Sequence, residues 1–379
     1  MWTALDRITA AFRNEQPDRV PVSPELWDVI PFRVSGRPFY EFSGTSYGKT
    51  PLWKAQLDAY RYFSCEAWIP VEPGPSERQR CMVESVSRFV HEDLIETEVV
   101  YTSPHGTLHE TRHSCFDYDL WAFERAVKDI FNDLPKLADY FFEDPEALDY
   151  TVIEEARKET GDDGICEGII GNSFFEFLTS YREGGAVQVI LDLYEHPDYF
   201  ADMRQRYTDY LTGIAKETCR RTGVDGIFLN CGSSTLDIIG PALFREWDIP
   251  VIRAVAEVAR RHDKIFHYHL HGKGRKLLDD IVDAGVTMIC PLETPDHGDF
   301  VLAEVKSTFG GRLALKGGID PFLLREASLP DIDSMVKSCI EAAAAGGGYT
   351  LATGDGVLSE TPFDSIRALV EATRKYGEY

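Results

Sequence analysis

No run of eighteen apolar residues occurs in the 379-residue chain, so the sequence holds no candidate for a membrane-crossing helix. Basic residues nowhere form a block and the net charge is −24, which leaves nothing to displace the counterions of a nucleic acid. The same field repels a polyanionic ligand unless a local basic pocket overrides it. The cysteines Cys65, Cys81, Cys115, Cys166, Cys219, Cys231, Cys290 and Cys339 never pair as CxxC and read as reduced thiols, not as a disulfide framework. The start, MWTALDRITAAFRNEQPDRVPV, carries acidic residues and lacks the apolar block of a signal peptide, so the expected location is the cytoplasm. Linkers, low-complexity tracts and sequence repeats are missing too, and residues 1–379 read as one domain.

What is present is an alternation. Hydrophobic residues make up 44% and charged residues 27%, enough for a large core. Short apolar runs occupy Val20–Leu26, Ala67–Glu72 and Gly164–Gly171, and further runs start at Gly226, Lys264, Met288, Leu313 and Tyr349. Amphipathic stretches such as PALFREWDIPVIRAVAEVARR and GRKLLDDIVDAG separate the later runs. Eight strand–helix units predict a (β/α)8 TIM barrel, an α/β fold with helices outside a closed parallel sheet. A doubly wound sheet is the alternative, but no GxGxxG follows an early strand. Residues 80–115 break the alternation: period-two patterning on both sides of SPHG predicts an inserted β-hairpin or small meander between strands 2 and 3.

Barrel chemistry sits at the C-terminal ends of strands, so residues there are the candidates. In KIFHYHLHGKG, His267, His269 and His271 alternate with Tyr268 and Leu270 and therefore project from one face. Two imidazoles at i and i+2 can grip one metal ion, with His269 and His271 better placed than the deeper His267. A polar layer of hydrogen-bonded neutral histidines is the competing reading, though three in a row are costly for a core without a task. Asp355, between two glycines in LATGDGV, is a candidate third ligand, and Glu293 is the reserve. Glu167 is an unusual charge in an apolar run and, with His267, a candidate general acid or base. Asn230 and Cys231 end the fourth run, and Phe174 and Phe177 in FFEF could line a flat apolar pocket.

The segments TGVDGIFLNCGSSTLDIIGPALFREWDIP, KIFHYHLHGKGRKLLDDIVDAGVTMICPLE, LALKGGIDPFLL and GGGYTLATGDGVLSETPFDSIRALVEATRKYGEY resemble the uroporphyrinogen decarboxylase superfamily in order and spacing. The resemblance covers roughly residues 164–379, and DRVPVSPELWD resembles the family's opening strand. True decarboxylases of that superfamily hold the carboxylates of a tetrapyrrole with an arginine cluster after the first strand. Here PELWDVIPFRVSGRP offers Arg33 and Arg37 without the tight cluster.

The superfamily's other branch, cobalamin-dependent methyltransferases, uses zinc bound by a His-x-Cys-Gly motif and a later cysteine. By that resemblance His269 matches the histidine, while His271 and Asp355 stand where the two cysteines would be. Nitrogen and oxygen ligands leave a more electrophilic ion, zinc by default though iron also suits the set. Such an ion is better at polarising oxygen than at activating a thiol. The resemblance therefore implies a methyltransferase moving a methyl group between a methoxyaromatic compound and the corrinoid of a partner protein. A corrinoid-binding DxHxxG loop is missing from this chain. Cofactor-independent decarboxylation is the alternative.

Overall fold

Seven of the eight apolar runs form strands of one parallel sheet in the computed structural model, which describes residues 1–27, 29–42, 45–76, 81–116 and 118–379. They are β1 (Ala67–Val71), then, after an insertion, β6 (Gly164–Asn172), β7 (Gly226–Cys231), β8 (Ile265–Leu270), β9 (Met288–Leu292), β10 (Ala314–Ile319) and β11 (Tyr349–Thr353). Their order in the sheet is their order in the chain, as successive strand–helix–strand units require. β1, β8, β9, β10 and β11 are buried along their whole length, the mark of a sheet covered on both faces.

The eighth run, Val20–Leu26, makes isolated bridges instead of a strand. Val22 pairs with Leu351 of β11 and Glu25 with Gly356, while Val22 O accepts the amide of Glu66 just ahead of β1. The segment thus spans the two edges of the curled sheet. Pro21 and Pro24 explain its irregularity, since neither has an amide proton for a continuous ladder.

Outer helices show the expected single apolar stripe. Ile249–Arg261 buries Ile249, Val251, Ile252, Val255, Ala256 and Ala259 and leaves its arginines out. Leu329–Ala343 starts where the Ser328 side chain accepts the amide of Asp331. No helix among the described residues is long and apolar enough to cross a membrane.

The insertion is larger than the sequence suggested. Where the patterning predicts a hairpin or small meander over 80–115, a four-stranded antiparallel meander runs through β2 (Met82–His91), β3 (Leu94–Ser103), β4 (Gly106–Cys115) and β5 (Tyr118–Glu124). Arg80, the expected first residue of that segment, lies outside the described residues. SPHG is the β3–β4 turn, with Ser103 paired to Gly106. The fourth strand escaped notice because YDLWAFE is nearly all apolar or aromatic and lacks a clear alternation.

Candidate functional site

The period of a strand puts His267 and His269 on the interior face of β8, and His271 just beyond its end continues that line. Carboxylates and a thiol from neighbouring strands meet them. His267 Nδ1 lies 2.7 Å from Glu167 Oε2, and its Nε2 lies 2.7 Å from Cys290 Sγ. Cys290 Sγ is in turn 3.0 Å from His269 Nδ1, and His269 Nε2 is 2.6 Å from His271 Nε2. His271 Nδ1 then meets Glu293 Oε1 at 2.6 Å, while Glu293 Oε2 accepts the Gly272 amide at 3.0 Å. A continuous line of polar contacts therefore climbs from the sheet interior to the rim.

A second buried line lies beside it. Lys316 of β10 and Glu25 of the bridging segment are both fully buried and pair at 2.6 Å. Lys316 Nζ also sits 4.2 Å from the centre of the Trp68 ring, and Trp27 Nε1 donates to Glu25 Oε2 at 3.0 Å. Burial raises the Glu25 carboxyl, but the charge and hydrogen bond of Lys316, with the His271 charge and the Trp27 donor, together outweigh it and the net shift is downward, so Glu25 stays ionised. Sequence reading overlooked both residues. The signal was there: each is a charge inside an apolar run, the feature that singled out Glu167.

Burial, reinforced by the charges of His271, His267 and Lys316, holds His269 well below the usual imidazole range. It is a neutral ring with a lone pair to offer. Burial opposes the charge on His271 as well, but the bond to Glu293 and the nearby Asp355 raise it to about 9. Burial pushes the Cys290 thiol far up and raises the Asp355 carboxyl. Two groups of donor atoms each lie within 4.8 Å of one another: Glu25, His269 and Cys290 in the buried layer, and His271, Glu293 and Asp355 at the rim. The mix of imidazole nitrogen and carboxylate oxygen at the rim fits a divalent metal ion.

Above the histidines opens a cavity of about 730 Å³, with Trp27, Phe228, Asn230, His269, His271 and Asp355 among its lining. Glu293, taken from sequence as the reserve ligand, stands nearer His271 than Asp355, whose Oδ2 is 3.8 Å away. Glu167 and His267 are fully buried and are not among the residues lining this cavity. Trp68 also donates to Glu167 at 2.7 Å, and Glu167 Oε1 has no partner among the described residues. Asn230 reaches the cavity, but Cys231 is buried behind it, with its thiol pushed up to about 12 by burial.

Of the two expected pocket aromatics, Phe174 packs against Trp247 and Tyr207 inside the core, and Phe177 lines a neighbouring cavity. Arg33 is tied to the Ser359 and Thr361 carbonyls and lies 4.4 Å from the Phe363 ring centre, while Arg37 is held by Glu41 and Thr50. Among the described residues lining the mouth, the cationic groups are Arg325 and His271, the latter already faced by Glu293 and Asp355.

Residues 131–376 match the family model described as uroporphyrinogen decarboxylase (URO-D). A uroporphyrinogen decarboxylase from Coxiella burnetii is 27% identical over 189 residues, 49% of this chain and 50% of that protein. The methylcobamide:CoM methyltransferase MtaA of Methanosarcina barkeri is 30% identical over 155 residues, 41% of this chain and 42% of that one. The chain thus spans about half the length, or less, of the curated relatives it matches. A solved methyltransferase from Methanosarcina mazei shares the fold over 99% of both chains with a TM-score of 0.67 at 18% identity.

Proposed function

This chain belongs to the uroporphyrinogen decarboxylase family, and from that premise we propose that it is a methyltransferase. It takes the methyl group of a methoxyaromatic compound and passes it to the corrinoid of a partner protein. The observation that carries this reading is the convergence of His269 Nε2 and His271 Nε2, 2.6 Å apart, at the floor of an aromatic-walled mouth. The MtaA relative and the methyltransferase of like fold support the same branch.

His269 and His271, with Glu293 and Asp355, would hold a divalent metal, zinc by default. A metal ion bound there supplies Lewis acidity toward a departing phenolate oxygen. The chain's own groups do the rest. Glu293 fixes the His271 ring through Nδ1 and leaves Nε2 directed at His269. Glu167 and His267 act one layer lower: through Cys290 they orient the His269 ring. Trp27, Phe228 and Phe322 offer flat apolar surface to an aromatic ring and exclude water from it. Transfer needs the acceptor in line with the methyl group at near contact, so the partner docks over this open rim.

A polycarboxylate substrate is poorly served here: among the described lining residues the mouth offers Arg325 and a His271 already paired with Glu293, while Arg33 and Arg37 are engaged elsewhere. The test is methyl transfer from methoxyaromatics, alcohols, amines and thioethers to reduced cob(I)alamin, followed by absorbance, alongside metal analysis. Transfer from a methoxyaromatic is expected, with stoichiometric metal, and the His269→Ala, His271→Ala double variant should lose both. Conversion of uroporphyrinogen to coproporphyrinogen without any methyl transfer would return the case to the decarboxylase reading, which the Coxiella burnetii relative favours.

A further inference from the structure

Beside the mouth lies a second chamber of about 450 Å³, walled by the helix Ile130–Phe141, the end of β6, the helix Phe174–Tyr181 and the helix Pro197–Arg221. We propose that this chamber binds an organic ammonium group, between the rings of Tyr140, Tyr181, Tyr207 and Tyr210 and the carboxylate of Glu72. The inference goes beyond methyl transfer and does not need a metal at the strand ends. The two cavities do share Glu72, Ile169 and Asn172 on their walls, so a ligand anchored here can reach toward the histidines.

The rings form one connected surface. Phe177 stacks on Tyr207 with centres 4.4 Å apart, and meets Phe141 at 5.2 Å and Tyr181 at 5.9 Å. Phe141 joins Tyr140 at 4.8 Å. Aromatic faces attract cations through their quadrupoles, and a compact aromatic enclosure suits an alkylated nitrogen. The hydroxyl of Tyr207 is used by the backbone of Asn172. Those of Tyr140, Tyr181 and Tyr210, and the Glu72 carboxylate, make no hydrogen bond among the described residues. All four residues line the chamber, so these groups are open to whatever occupies it.

Charge selects the sign of that ligand. Among the described residues the lining carries two acids, Glu72 and Glu143, and one base, Arg112. The guanidinium of Arg112 is engaged along one edge: Nε donates to Glu110 Oε1 at 3.0 Å, and Nη2 donates to Glu110 Oε2 at 2.9 Å and to Tyr101 at 2.7 Å. An anion would have to compete with Glu110, whereas a cation meets an uncommitted carboxylate. Glu72 is open to the chamber, yet the surrounding protein raises its pKa, a shift that a bound cation would reverse. The four tyrosines are raised as well, chiefly by burial, so they stay neutral phenols that meet a cation through their ring quadrupoles.

Calorimetric titration of chelator-treated protein with choline, with its neutral isostere 3,3-dimethyl-1-butanol and with benzoate tests this directly. Choline should bind at least about tenfold more tightly than the isostere. Glu72→Gln should erase most of that preference while leaving the isostere unchanged, and Tyr181→Leu should weaken choline. His271→Ala should leave choline binding intact, which separates this site from the methyl-transfer reading. Equal affinity for choline and the isostere, tighter benzoate, or no saturable heat from any of the three would overturn the proposal. The comparison of the three probes on the unaltered chain stands whether or not the variants fold.

Discussion

At the scale of single residues, buried charge is either paired or held neutral. Lys316 and Glu25 show the first solution: each would be prohibitively costly alone, and together they form a fully buried ion pair braced by Trp68 and Trp27. Asp248 shows the second only in acid, since its carboxyl is neutral only below about pH 6. It is fully buried, its Oδ1 accepts the Phe175 amide at 2.9 Å, and burial raises its pKa to about 6. A carboxyl whose folded pKa is raised favours the folded state most below its unfolded value of about 4, and that contribution is lost as pH rises through 6. Asp248→Asn mimics the neutral acid and keeps the acceptor. The variant should therefore exceed the parent in stability at pH 8 by about 2–3 kcal/mol, with no advantage near pH 4. Urea denaturation at pH 4, 6 and 8 measures it, and a gap that does not change with pH would refute the account.

At the scale of elements, backbone contact between β1 and β6 depends on a residue without a side chain. Gly164 pairs with Ala67, and a Cβ at Gly164 would stand 2.0 Å from the Ala67 carbonyl oxygen. Backbone cannot swing aside as a side chain can, so the strands would have to part. Gly164→Ala should cost about 3 kcal/mol or more, through overpacking of a closed interior. Gly311, where an added Cβ meets nothing within 4 Å, supplies the control: its alanine variant should stay within about 0.5 kcal/mol. Thermal melts of the two variants decide it. The inserted sheet β2–β5 belongs to this scale too, because its Arg112 closes one side of the second chamber.

Across the whole molecule, the proposed metal site sits at the rim of a sheet packed in a large apolar core, with its buried polar groups paired among themselves. Metal should therefore stabilise the fold by binding linkage without being required for it. Adding zinc to chelator-treated protein should raise the melting temperature by a few degrees while leaving the far-ultraviolet dichroism unchanged. Because His271 keeps its proton up to about 9 in the metal-free chain, the ion must displace that proton, and affinity should climb as pH rises from 6.5 to 8.5. Competition with a zinc indicator across that range checks the sign; affinity independent of pH would exclude His271 from the site.

How far the sequence alone reached depends on the range of the interaction that decides each feature. Strand identity and the shared face of His267, His269 and His271 follow from a period of two residues and were legible in KIFHYHLH. Parallel order followed as well, because apolar runs alternated with amphipathic stretches. The Val20–Leu26 run was read as an ordinary strand, although Pro21 and Pro24 already announced its broken ladder.

What lies across the sheet was not legible. Cys290 between two imidazoles, Glu25 against Lys316 some 291 residues away in the chain, and Glu293 nearer than Asp355 to His271 are matters of curvature and strand register. The same holds for Glu167 and His267, whose chemistry reads identically at any depth, yet which are fully buried and outside the lining of the mouth. Local patterning sets which way a side chain leaves its own backbone. Only closure of the tertiary structure sets what it meets, because the partners come from distant segments whose separation no spacing rule encodes.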